Sequence, residues 1–193
     1  MGDDFLVFYQ IFVLYYSVFA TIVILFLLTT LKKYKDQAII DNLTGLYNAR
    51  FLHKRLAAEV ERARDKGLLQ VLFIDINDFK NINDNFGHKA GDEIMISLAN
   101  VLKGKLRLTD VICRYGGDEF VILLPRTNKE KVGQILKRVI AEVDKLNITL
   151  SIGHYQYDSK NEKDPIKMAD IAMYRAKERH RTGVVGSIID TIA

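Results

Sequence analysis

Hydrophobic positions change rhythm several times along the chain, and each change predicts an element. From Phe5 to Leu31 no side chain is charged, Leu, Ile, Val and Phe dominate, and Gln10 is the one strongly polar residue. That run is roughly 27 residues, or about 40 Å as a helix, against a hydrocarbon core of about 30 Å. It predicts a transmembrane helix over residues 5–31, followed by a polar linker over 32–40. Phe51/Leu52, Leu56, Val60 and Ala63 recur at helical spacing and predict an amphipathic helix from Ala49 to about Lys66. Val71 to Asp75 reads as a short buried strand ending in a carboxylate. Ile94, Met95, Leu98, Val101, Leu102 and Leu106 form a second helical stripe, with Asp92 placed to cap its start.

Val111–Tyr115 and Phe120–Leu124 are β-prone runs joined by Gly116-Gly117-Asp118-Glu119, which predicts a hairpin whose glycines supply positive φ. Val132, Ile135, Leu136, Val139, Ile140 and Val143 mark another helix, Ile148 to Gly153 a strand, and Pro165 to Arg179 a last helix. Residues 188–193 are left as a C-terminal tail. The order strand, helix, hairpin, helix, strand is that of a ferredoxin-like α+β sandwich with extra helices at its start and end.

Composition changes this picture little. Hydrophobic residues make up 49% and charged residues 27%, which suits a folded domain rather than a disordered chain. The net charge of +4 is modest and its cations are spread out, so nucleic acid is not an expected partner. The acidic start (Asp3, Asp4), the long apolar run and the lysines after it (Lys32, Lys33, Lys35) oppose a cleaved signal peptide. By the positive-inside rule those lysines place the rest of the chain in the cytoplasm. Cys113 is the single cysteine, so an intrachain disulfide is excluded, and its apolar neighbours make it a buried strand thiol.

Asp75 at its strand end and Asp118 with Glu119 in the hairpin meet at one edge of such a sheet. Carboxylates packed that closely repel, and need a cation or a proton to coexist. Oxygen ligands favour Mg²⁺ or Mn²⁺ over zinc. Taken alone, Asp118 and Glu119 suit a solvated hairpin tip better.

The wider motif set separates these readings. Arg114-Tyr115-Gly116-Gly117-Asp118-Glu119-Phe120 is the signature of the GGDEF family of diguanylate cyclases, and it does not stand alone. Asp41-Asn42-Leu43-Thr44-Gly45-Leu46-Tyr47-Asn48 resembles the family's opening motif. Asp75-Ile76-Asn77-Asp78-Phe79-Lys80 resembles its metal loop, and Phe86-Gly87-His88-Lys89-Ala90-Gly91-Asp92-Glu93 the segment beyond it. Ala172-Met173-Tyr174-Arg175-Ala176-Lys177 resembles its closing helix. The resemblance covers residues 41–187.

It implies a homodimeric enzyme that condenses two GTP molecules into cyclic di-GMP. In it, Asp75, Asp118, Glu119 and the Ile76 carbonyl hold Mg²⁺ or Mn²⁺, and Glu119 also serves as a base. Phe79 and Lys80 hold the triphosphate, with Lys177 and Arg181 neutralising it, while Asn83 and Asp92 read guanine. Arg107 and Asp110, with Arg138 on the next helix, match the family's inhibitory product site. The apolar helix then implies a single-pass anchor in a bacterial inner membrane, able to pair with itself or with a membrane sensory partner. The chain departs from the family pattern at Asn77, where a second Asp is usual, and at Ala49, Asp78, His180 and Thr182. Of these, Asn77 bears on the metal site, because an amide lacks the charge of a carboxylate.

Overall fold

The computed structural model describes residues 2–64, 68–160, 163–183 and 186–192. The chain divides into two units, residues 1–38 and 39–193. The first is one helix, α1 (Gly2–Gln37). Its stretch Phe8–Leu31, 24 residues long, is exposed and apolar, and its length and composition suffice to cross a membrane. The helix continues to Gln37, so most of the expected linker is helical. Ser17, Thr21 and Thr29 return their hydroxyls to carbonyls one turn back, which removes their polarity from the helix surface.

The second unit begins with β1 (Tyr47–Asn48) and α2 (Ala49–Ala63), then β2 (Leu69–Ile76), α3 (Phe79–Phe86) and α4 (His88–Lys105). It continues through β3 (Val111–Gly116), β4 (Glu119–Pro125), α5 (Lys129–Val143), β5 (Leu150–Gln156), α6 (Pro165–Arg181) and β6 (Ile188–Ile192). The six strands form one sheet in the order β1-β3-β4-β2-β5-β6. The inner four are mutually antiparallel and have the ferredoxin-like arrangement, while β1 and β6 add parallel strands at the edges.

All eight β2 residues are buried because helices cover both faces of the sheet. Leu72, Ile74 and Ile76 pack toward one cluster with Met95, Leu98 and Leu102 of α4 and Leu136 and Val139 of α5. Val71 and Phe73 pack toward the other, with Leu52 and Leu56 of α2 and Ala169 and Met173 of α6. Strand alternation therefore sends Asp75 to the α2/α6 face. Gly153 of β5 lets α6 come close, since a Cβ there would lie 2.0 Å from the Ala169 carbonyl oxygen and 2.2 Å from the Met173 nitrogen. One turn beyond Met173, the same helix carries Lys177.

Several expectations are revised. The residues read as a C-terminal tail form β6, which pairs with β5 from Ser151↔Ile188 to Tyr155↔Ile192. Asp92 does not cap a helix. Gly87, at φ 83°, ends α3 and starts α4, which places Asp92 inside the first turns. The predicted end of α2 near Lys66 lies outside the described residues. Cys113 is fully buried, as expected, and burial, with the Asp41 charge, pushes its thiol up to about 12.

Candidate active site

The site is built where β2 ends and β4 begins. Asp75 and Glu119 stand directly opposite each other in that antiparallel pair, on the same face of the sheet. Cβ atoms in such a pair are about 5 Å apart. Burial raises the Asp75 carboxyl above its usual range, Lys177 opposes the shift and Asp118 adds to it. Glu119 is raised in the same way, first by burial and then by Asp75, Asp118 and Asp170. Lys177 donates from Nζ to Asp75 Oδ2 at 2.6 Å, while Asp75 Oδ1 is buried without a hydrogen bond.

Beside the acids lies a cavity of about 220 Å³, lined by the loop from Ile76 to Asn81 and by Asp118, Lys177, His180 and Arg181. Its loop departs from β2 with Asp78 in the left-handed region (φ 54°), which turns Phe79 and Lys80 into the first turn of α3. Of the residues expected to hold a triphosphate, Phe79, Lys80, Lys177 and Arg181 all line this cavity. Asn83 and Asp92 do not. They lie on the neighbouring α3–α4 hairpin, Asn83 half-buried and Asp92 exposed.

Among the described residues no three His, Cys, Asp or Glu side chains are grouped closely enough to hold a metal ion, and Lys177 pairs with Asp75. The donor set nevertheless fits a hard divalent ion, being all oxygen, with one buried carboxylate oxygen left unpartnered. Asn77 lines the same cavity, with its amide already engaged. It donates to Thr149 Oγ1 at 2.9 Å and accepts from Ser151 Oγ at 2.6 Å, so its amide ties the end of β2 to β5.

Two links escape sequence reasoning because they join residues far apart in the chain. Arg114 donates through Nε to the Gly117 carbonyl at 3.0 Å and pairs with Asp41 at 3.2 Å, which binds the opening motif to the signature turn. Burial works against the Asp41 charge, but hydrogen bonds from Thr44 and the Arg114 guanidinium hold its carboxyl below the usual range. His180 meets Asp78 at 3.1 Å across the cavity mouth. Both residues depart from the family pattern, and sequence showed only the departures.

On another part of the domain the Arg107 N–H donates to Asp110 Oδ2 at 2.8 Å. Burial raises the Asp110 carboxyl, with Arg107 opposing. Both residues line a cavity of about 390 Å³ with Tyr47, Leu46, Leu106 and Leu108. Arg138 is exposed on α5 and is not part of that lining.

Comparison with known proteins agrees with this geometry. The family model described as "Diguanylate cyclase, GGDEF domain" matches residues 38–183. The chain belongs to the GGDEF family of diguanylate cyclases. Diguanylate cyclase DgcP of Pseudomonas aeruginosa is 40% identical over 162 residues, which cover 78% of this chain and 24% of DgcP. Response regulator PleD of Caulobacter vibrioides is 37% identical over 165 residues, covering 78% of this chain and 36% of PleD. The chain thus spans well under half the length of these relatives. Among solved structures, the coiled coil and GGDEF domain of DgcB from Caulobacter crescentus, in complex with c-di-GMP, has a TM-score of 0.72. It is 25% identical, and the match covers 90% of this chain and 95% of that one.

Proposed function

We propose that this GGDEF chain is a diguanylate cyclase, joining two GTP molecules into cyclic di-GMP with release of two pyrophosphates. The observation that carries the reading is the opposed pair Asp75 and Glu119, held above the usual carboxylate range beside a cavity lined by Lys80, Lys177 and Arg181. A Mg²⁺ or Mn²⁺ ion held by Asp75, Asp118, Glu119 and the Ile76 carbonyl would supply Lewis-acid charge at the reacting phosphate.

The chain's own groups do the rest. Backbone N–H groups at Phe79 and Lys80 open α3 and face a triphosphate with the positive end of the helix. Lys80, Lys177 and Arg181 neutralise the phosphate oxygens. Glu119 takes the proton of the ribose 3′-hydroxyl, and its raised affinity for protons suits that task. The 3′-oxygen then bonds to the α-phosphorus of the second GTP as the bond to pyrophosphate breaks. Asn83 and Asp92 read guanine: a carboxylate accepts from its N1–H and amino group, whereas adenine presents a lone pair at N1 and lacks that amino group.

Each domain binds one GTP, so the reaction requires two copies facing each other in a symmetric pair. Holding the nucleotides in attack geometry is worth up to about 7–11 kcal/mol of the barrier. Helix α1 crosses a bacterial inner membrane once, with Lys32, Lys33 and Lys35 keeping the domain cytoplasmic, and helps the copies pair. A membrane sensory partner docking on α1 would act through the same pairing. Arg107 and Asp110, with Arg138, bind the product and restrain the enzyme.

The test incubates full-length protein with GTP and Mg²⁺ and detects cyclic di-GMP by mass spectrometry, alongside Glu119→Gln. Product from the unaltered chain and none from the variant supports the reading. No product from folded, dimeric wild-type protein would overturn it and leave a nucleotide-binding receptor.

A further inference from the structure

Among the described residues three glycines occupy helical positions in the domain, and one differs from the others. Gly104, on α4, and Gly133, on α5, have open space where a Cβ would project. Gly91, in the first turns of α4, does not. A Cβ there would lie 2.1 Å from Asn83 Oδ1, 3.0 Å from Asn83 Cγ and 3.0 Å from Phe79 Cζ. The Gly91 backbone is helical and is not among the positive-φ glycines, so its conformation does not call for glycine. A glycine inside a helix costs about 1 kcal/mol relative to alanine. What this residue provides is space.

We propose that Gly91 is a specificity-determining position: the missing side chain forms a slot that holds the Asn83 carboxamide beside Asp92. The inference rests on the guanine reading given to Asn83 and Asp92 above. The hairpin itself is fixed independently, because the Gly87 N–H donates to the Asn83 carbonyl at 2.8 Å and Gly87 turns the chain between the helices at φ 83°. The Asn83 backbone is therefore anchored, and only its side chain is free to yield. A methyl group at residue 91 meets first the far end of that side chain, which turns away to another rotamer at little cost. Asp92, the next residue, keeps its place on α4. Substitution thus moves one half of the guanine-reading pair, with a small shift of the Phe79 ring tip, and leaves the other half and the helix in position.

The experiment compares full-length wild type, Gly91→Ala, Asn83→Ala and the double variant for kcat/KM with GTP and for competition by ATP, alongside thermal unfolding. We expect Gly91→Ala to unfold no earlier than wild type and to lose its preference for GTP over ATP by about tenfold or more. Asn83→Ala should lose a similar amount, and the double variant no more than either single one. If Asn83→Ala relaxes the preference and Gly91→Ala keeps it, Gly91 serves packing alone and the slot is wrong. An unchanged preference in Asn83→Ala removes the guanine reading itself, a failure visible without any change at Gly91, and the slot's role falls with it. Should Gly91→Ala unfold early, the double variant decides. Recovery there places the clash on Asn83 and supports the slot, whereas persistent instability assigns it to helix packing and overturns the proposal.

Discussion

Two cavities of the domain keep their carboxylates in different ways. Beside Arg107 the Asp110 carboxylate is buried but served locally, accepting the Arg107 N–H three residues away and standing by its charge, in a mostly apolar hollow. Beside Lys177 the acids are served from afar: Asp75 depends on a lysine 102 positions along the chain and keeps one oxygen unpartnered. Glu119 faces that acid across the sheet and gains no relief from it. The first arrangement is a finished local turn. The second is a set of like charges kept apart from water and only partly balanced, the electrostatic pattern of a site poised for chemistry.

Three substitutions, read in four ways, break or sharpen this contrast. Glu119→Gln is expected to lower cyclic di-GMP formation by roughly 10²–10⁴-fold, read by single-turnover product analysis, because it removes the proton acceptor. Lys177→Met strips Asp75 of its hydrogen-bonded cation. Urea unfolding should show a loss of about 1–3 kcal/mol, and GTP binding should weaken with it. Asp110→Ala removes an acceptor at the apolar cavity, costing about 1 kcal/mol in the same assay and abolishing inhibition by added cyclic di-GMP.

The smallest effect has the opposite sign. Without nucleotide or cation at neutral pH, Glu119→Gln should stabilise the domain by about 0.5 kcal/mol, as relief of like-charge repulsion does at functional sites. Glu119 binds its proton more tightly when folded than its ordinary value near 4.5 would imply. The wild type therefore gains stability as pH falls from neutral through the raised value, and the advantage of the variant fades toward about pH 4. A constant difference across that range, measured by thermal unfolding, would mean that Glu119 is not held in its raised state by the fold.

What was legible in the sequence follows from locality. The stripes of α2, α5 and the second half of α4 are readable because a buried helix face repeats every three to four residues. The run Val71–Ile74 is readable as a buried strand for its unbroken apolar character. Residues 188–192 were not, because Ile-Ile-Asp-Thr-Ile owes its strand to the neighbouring β5 rather than to a pattern of its own. Helix α3 has only eight residues and buries none of them fully, so Phe79, Ile82 and Phe86 make a stripe too short to stand out. At the site, residue types and order were readable through family resemblance. The pairings Lys177–Asp75, Arg114–Asp41 and His180–Asp78 required the fold, since each joins residues more than 70 positions apart. Asn77 shows the limit most plainly: sequence marks a missing charge, whereas the structure shows an amide using both its donor and its acceptor to hold two strands together.

The register of the β3–β4 hairpin has a consequence for how this chain tolerates change in length. Gly116 pairs with Glu119, and from there β4 runs in step with β2 from Glu119↔Asp75 to Pro125↔Leu69. Because side chains alternate between faces, inserting one residue after Glu119 and shifting β4 by one step would send Val121 and Leu123 to the opposite layer and Phe120 out of its own. Inserting one before it would instead oblige Gly117 and Asp118 to bulge while Glu119 held its partner. Single-residue insertions scanned across residues 116–121 should therefore divide sharply at Glu119, those after it abolishing folding and those before it sparing the fold while abolishing turnover.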